Sequence, residues 1–225
     1  MSLKSILQYI QPAQQVPTTF WSADTPLTLK PRFVTSLFLI MGLWIFGTGD
    51  AFLIAAGVGN TPWTVLAEGI ALKIDWSVGQ ATFLVSILVL FLWIPLREKP
   101  GIGTILNVIL IAAAIEIMVP LLQTQTPADD SLALLQAFAG VILIGIGSGL
   151  YLTANLGPGP RDGWMTGLQQ KTGWPIARVR ISIEITVLIL GMALGGTFGW
   201  GTIMFAIGVG PVVAMCLGVA SNWSK

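Results

Sequence analysis

The chain has 225 residues, 54% of them hydrophobic and 9% charged, with 11 basic against 10 acidic side chains and a mean hydropathy of +0.83. This excludes a soluble globular domain, and a net charge of +1 offers no basic footprint for a nucleic acid, so no nucleic-acid partner is expected. One cysteine, Cys216, excludes an internal disulfide, and with no histidine neither a metal site nor another cofactor is expected.

Residues 1–32 are polar, punctuated by proline and without a signal-peptide core, so they are expected to form an uncleaved cytoplasmic tail. Within it, residues 3–10 are either a short interfacial helix or a loose arm. Long apolar segments follow at about 33–57, 79–96, 103–122, 132–156, 180–196 and 201–220, each suited to one crossing of the hydrocarbon core. Two shorter segments, 62–74 and 160–172, carry internal charge and fall below the roughly 17 residues that a crossing needs. Each starts like a helix, with Thr61 able to cap ahead of Pro62 and Pro160 following Gly159, while Gly173 supplies a stop after Lys171. Re-entrant or interfacial half-helices are expected there.

"VGNTPWTVLAEGIALKIDW" (58–76) and "NLGPGPRDGWMTGLQQKTGW" (155–174) share one layout at an offset of 98 residues. The same offset sets Gly42, Gly49, Pro62, Gly69, Lys73, Trp76, Gly103 and Thr104 on Gly140, Gly147, Pro160, Gly167, Lys171, Trp174, Gly201 and Thr202. Apolar composition produces chance glycine and leucine matches, whereas aligned proline, lysine and tryptophan in one register indicate a duplication. Three spans per copy is an odd number and inverts the second copy in the membrane. With the N-terminus inside, Lys4, Lys30, Arg32, Arg97, Lys99, Arg161, Lys171, Arg178, Arg180 and Lys225 are all cytoplasmic and Lys73 alone is outside, as the positive-inside rule requires. The expected fold is therefore an all-α polytopic membrane protein of six transmembrane helices. They form two inverted three-helix repeats, 33–122 and 132–225, each with a short re-entrant or interfacial half-helix, joined by an outer linker at 123–131.

Half-helix ends at membrane depth line polar cavities in transporters built this way, and their free N–H groups attract anionic groups. In "GPGPRDG" glycine lets the chain approach closely and Arg161 adds a planar, two-pronged donor for a carboxylate or phosphate. The candidate binding set is Gly157, Gly159, Arg161, Asp162 and Gly163, with Asn60, Thr61 and Trp63 from the first copy; Asp162 is expected to orient Arg161. The rival reading is a cytoplasmic turn in which Arg161 sets topology and Asp162 caps or pairs. Asp50 and Glu116 fall inside predicted spans with no basic neighbour in sequence, which makes them candidates for carrying a proton, against a purely structural hydrogen-bonding role. Arg180 and Glu184, one turn apart, read as an ordinary ion pair. The tryptophans near span ends read as an interfacial belt in contact with lipid, and the small residues on spans 1 and 4 as a close helix contact.

The run at 156–211, "LGPGPRDGWMTGLQQKTGWPIARVRISIEITVLILGMALGGTFGWGTIMFAIGVGP", resembles the most characteristic region of the YczE-like branch of the YczE/YyaS/YitT bacterial membrane proteins. "GNTPWTVLAEGI" (59–70) is similar to its weaker first copy. The resemblance implies a bacterial cytoplasmic-membrane location with several spans, and brings no substrate. From the residues, the expected function is a small secondary transporter of an anionic or zwitterionic solute. The alternative is a non-transporting scaffold or sensor that works on partner proteins through its basic cytoplasmic loop. Without a paired acid–base constellation the chain is not expected to be an enzyme. A homodimer is compatible with so few spans, although no residue fixes it.

Overall fold

The computed structural model describes residues 16–123 and 129–224, so residues 3–10 and most of the 123–131 linker lie outside the described residues. Eight α-helices follow in order among them: α1 (Phe33–Ala56), α2 (Pro62–Ile74), α3 (Val78–Phe91), α4 (Ile102–Gln123), α5 (Asp130–Ala154), α6 (Pro160–Thr172), α7 (Ile176–Leu194) and α8 (Trp200–Ser221). A single 3-10 turn, Ile94–Leu96, follows α3. Five helices are long and apolar enough to cross a membrane: α1, α3 with its 3-10 extension, α4, α5 and α8. The chain is thus an all-helical, polytopic membrane protein. α7 falls outside those five, as its first turns carry Arg178, Arg180 and Glu184.

Local chemistry accounts for the helix ends. The Thr61 hydroxyl accepts from the Thr64 N–H at 3.3 Å ahead of Pro62, so both the fixed proline φ and the side-chain cap start α2. Ser77 and Gln80 form a reciprocal capping box on α3. α6 starts with Pro160 after Gly159 and stops at Gly173, whose φ of 70° is left-handed. α2 and α6 have 13 residues each, about 20 Å of helix, too short to cross a core of about 30 Å.

Helix boundaries recur at the offset of 98: α2 and α6 match residue for residue, and α4 and α8 likewise. The central contact is α1 against α5, the most extensive in the protein. Here the helices touch backbone to backbone. A Cβ on Gly49 would stand 2.7 Å from the Gly140 carbonyl oxygen, and one on Gly42 would stand 2.9 Å from that of Gly147. Each half is also hooked to the other by a pair of equivalent hydrogen bonds. Gly103 N–H donates to the Leu156 carbonyl at 2.7 Å, and Gly201 N–H to the Val58 carbonyl at 2.9 Å. The corner before each short helix is thereby fixed to the first turn of α4 or α8.

The last part of the expected tail is firmly packed. Trp21 stacks on Phe38 with ring centroids 4.3 Å apart, and its indole N–H donates to Thr153 at 3.0 Å. Arg32 reaches back to the carbonyls of Phe20 and Ser22 at 2.8 and 2.9 Å. These bonds cover the end of α5.

The equivalent helix contacts are not all equal. α3 packs along α4, whereas α7 and α8 scarcely touch. α2 crosses α7 at Gly69 and Gly191, where a Cβ on Gly69 would stand 2.6 Å from the Gly191 carbonyl oxygen. At the equivalent crossing of α6 with α3, Trp93 occupies the place of Gly191, and its indole fills the space against Gly163. That ring also donates to the Pro160 carbonyl at 2.8 Å. Glycine permits the first crossing to close, and tryptophan holds the second apart.

Candidate functional site

Separation of α7 from α8 leaves a cavity of about 350 Å³ between them, floored by α5 and closed by the N-terminus of α6. Four pairs of positions 98 residues apart line it: Phe46 with Ile144, Trp63 with Arg161, Asn107 with Phe205, and Ile111 with Val209. The cavity thus lies where the two halves meet.

Arg161 enters it from the first turn of α6. Its guanidinium sits over the Trp63 ring, 5.2 Å from the centroid, and donates no hydrogen bond among the described residues. Stacking on an indole orients the planar group without consuming its N–H donors, which remain for a ligand. Trp63 is itself braced edge-on by Trp164 at 6.2 Å. Asp162 does not bond to Arg161: its Oδ2 accepts from the Tyr151 hydroxyl at 2.6 Å. The expected orienting role therefore falls to the Trp63 ring, because a residue adjacent to Arg161 on a helix points some 100° away from it. Gly159 completes this wall, and the Asn107 side chain lies so close that a Cβ on Gly159 would stand 3.1 Å from its Nδ2.

The remaining candidate binding residues support the cavity from outside its lining. Gly157, at a φ of 104°, packs on Gly101 and Thr104, and Gly163 lies flat against Trp93. Thr61 is buried in the α2 cap. Asn60 donates to Glu68 Oε2 at 2.9 Å, and Glu68 also accepts from the Thr197 N–H at 2.7 Å and hydroxyl at 2.9 Å. This clamp fixes α2 to the turn between α7 and α8. Glu68→Ala is expected to cost about 1–3 kcal/mol, by leaving a backbone N–H and the Asn60 amide without acceptors, read as a lower unfolding temperature in detergent.

The two candidate proton carriers part company. Asp50 is fully buried behind the cavity, accepts from the Thr64 hydroxyl at 3.3 Å, and keeps its other oxygen without a partner. Its carboxylate is within electrostatic reach of Arg161. Glu116 does not line the cavity and is exposed on the α3–α4 seam, where it accepts from the Ser77 hydroxyl. Arg180 and Glu184 form the expected i,i+4 pair at 3.0 Å, and both line the cavity at its open side.

Asn107 and Tyr151 are cavity residues that the charge pattern does not reveal, and Glu68 is a third functional group missed in sequence. A polar Asn inside an apolar span was the one available signal for Asn107. Glu68 gives none, since its Thr197 partner is 129 residues away.

Five spans of lipid-compatible composition around a largely apolar cavity that carries a few charged groups define a polytopic membrane protein. Residues 33–218 match the family described as "Family of unknown function (DUF6198)", and the chain belongs to that family. It is 40% identical over 207 residues to a Haemophilus influenzae protein described as uncharacterized, covering 92% of this chain and 93% of that one. It is 34% identical to the Bacillus subtilis uncharacterized membrane protein YczE, over 80% of this chain and 84% of YczE. A further relative is Bacillus subtilis YyaS, at 24% identity over 79% and 85% of the two chains. No solved structure matches it.

Proposed function

We propose that this protein is a small secondary transporter of the bacterial cytoplasmic membrane, with both termini cytoplasmic, that moves a small solute by alternating access between inverted repeats. In this reading α7 is the sixth span: its 19 residues give about 28 Å of helix, and its charged first turns lie at the cytoplasmic surface. The observation that carries the reading is the unequal pair of seams. The cavity sits among equivalent positions, yet it opens between α7 and α8, while the equivalent α3 and α4 pack along each other and leave only a groove on their outer surface at Glu116. A duplicated fold with one seam open and its counterpart closed is half of an alternating-access cycle. Exchange of the two arrangements would close α7 on α8 and release the Ser77–Glu116 bond, exposing the same site from the other side.

Arg161 would bind the solute and Asp50, within its field, would take up the coupling proton. Glu116 would act as the latch of the closed seam. Cross-linking tests the exchange. In a Cys216→Ala background, a short thiol reagent is expected to bridge Ser77→Cys with Glu116→Cys in one population, and Pro175→Cys with Ala214→Cys in another, in intact membranes. The second pair never bridging would contradict the cycle.

Transport is tested with proteoliposomes exposed to a labelled metabolite extract and analysed by mass spectrometry. The parent is expected to accumulate a solute at least tenfold over Arg161→Ala vesicles, and Asp50→Asn to lose accumulation against a gradient. Normal accumulation by both variants sinks the reading.

A further inference from the structure

The charges around the cavity narrow the class of solute, an inference that rests on the transporter reading for its purpose and on the cavity alone for its chemistry. Two arginines and two carboxylates line the space: Arg161, Arg180, Asp162 and Glu184. Arg180 and Glu184 satisfy each other at 3.0 Å and sum to zero. That leaves Arg161, with no acceptor, beside Asp162, which uses only its Oδ2 on Tyr151 and keeps Oδ1 for another donor. The lining is neutral overall, and the buried Asp50 behind it adds either nothing or one negative charge, according to its protonation.

A neutral lining with one free cation and one half-used carboxylate disfavours a free anion. Such a ligand would gain Arg161 and meet the Asp162 carboxylate, and Asp50 behind it whenever that is ionised, with no further free cation in the lining to offset them, and a dianion would meet them twice over. A cation meets the converse penalty at Arg161. A molecule carrying both charges satisfies both groups and leaves the lining neutral. The apolar share of the wall, with Ile111, Ile144, Val209 and Val213, asks further for an apolar body, since an inorganic ion would leave those side chains against water in a space of 350 Å³.

We propose that the cavity binds a zwitterionic amino acid with an apolar side chain, its carboxylate on Arg161 and the Asn107 amide, its ammonium on Asp162, and its side chain along α5 and α8. Asn107 qualifies because its amide lies beside Gly159 and has no partner among the described residues.

The test is a thermal-shift and equilibrium-binding panel on the purified full chain in detergent. The probes are free leucine, valine, methionine and phenylalanine, with N-acetyl-leucine as the anion, leucine amide as the cation, and inorganic phosphate. At least one free amino acid is expected to stabilise the protein in a concentration-dependent way. N-acetyl-leucine, leucine amide and phosphate should bind at least tenfold more weakly than it does. Asp162→Asn is expected to lose the amino acid by tenfold or more and to erase its advantage over N-acetyl-leucine. Arg161→Gln should lose both carboxylates. Lys171→Gln, exposed at the far end of α6 and outside the cavity lining, should keep the preference, and the ligand-free unfolding temperature of each variant controls for folding. N-acetyl-leucine or phosphate matching the best amino acid overturns the inference, as does silence of all four amino acids. Either result leaves the transporter reading to be judged by seam exchange.

Discussion

Gly140→Leu is expected to destroy the folded protein, leaving no monodisperse species in detergent. Gly140 and Gly49 face each other across the α1–α5 contact, and a Cβ on Gly140 would already stand 2.7 Å from the Gly49 carbonyl oxygen and 3.1 Å from the Phe52 Cβ. The obstacle is mostly backbone, which no rotamer change can move aside. Apolar side chains gain nothing by leaving lipid, so helix association in a bilayer depends on close van der Waals contact. A leucine there pushes apart the most extensive interface in the molecule, and overpacking of this kind costs about 3 kcal/mol or more. Size-exclusion chromatography and thermal unfolding check it. Survival of a monodisperse Gly140→Leu protein would show that the α1–α5 contact contributes little to stability.

Gly210→Leu is expected to do the opposite, keeping the fold and stopping the exchange. No atom lies within 4 Å of the place where a Gly210 Cβ would be, because it faces the open α7–α8 seam. Its equivalent in the first half is Ala112, whose carbonyl oxygen would stand 2.9 Å from a Cβ on Gly79 across the shut α3–α4 seam. If α7 closes on α8 as α3 closes on α4, a leucine at 210 meets α7 before the helices seat. The unfolding temperature should stay near that of the parent. Bridging between Pro175→Cys and Ala214→Cys should fall by about tenfold, since an overpacking cost of 1–3 kcal/mol spans the 1.4 kcal/mol that a factor of ten requires. Unaltered bridging would mean that the seam does not close in the way its counterpart does.

Much of this molecule is written locally. Thr61–Pro62, Ser77, Gly159–Pro160 and Gly173 mark helix ends because capping is decided within four residues, and the structure places the helices where those signals stand. The Arg180–Glu184 pair is local in the same sense. The cavity is less so. Trp63 and Arg161 are legible as corner residues, but that one stacks on the other follows from how α2 and α6 approach. Asp50 and Glu116 look alike in sequence, as single acids in apolar helices; one faces Thr64 and Arg161 and the other Ser77, and helical facing relative to distant helices decides this. Asn107 and Tyr151 carry no charge, so only the polarity of Asn107 within an apolar span hints at it, and Tyr151 gives no such signal. The unequal seams were not foreseeable at all, because the sequence advertises how alike the halves are.

Two identical halves would make the two end states of an exchange equal in energy, with each populated half of the time. Trp93 against Gly191 removes that degeneracy: one crossing nests backbone on backbone while the other carries an indole anchored to the Pro160 carbonyl. A bias of only 1.4 kcal/mol fixes the resting population at about ten to one, and any solute must then supply that difference through tighter binding to the rarer state. Under the proposed exchange the chain would act as a rectifier, its direction of rest set by the tryptophan at 93 where the matching position 191 holds glycine.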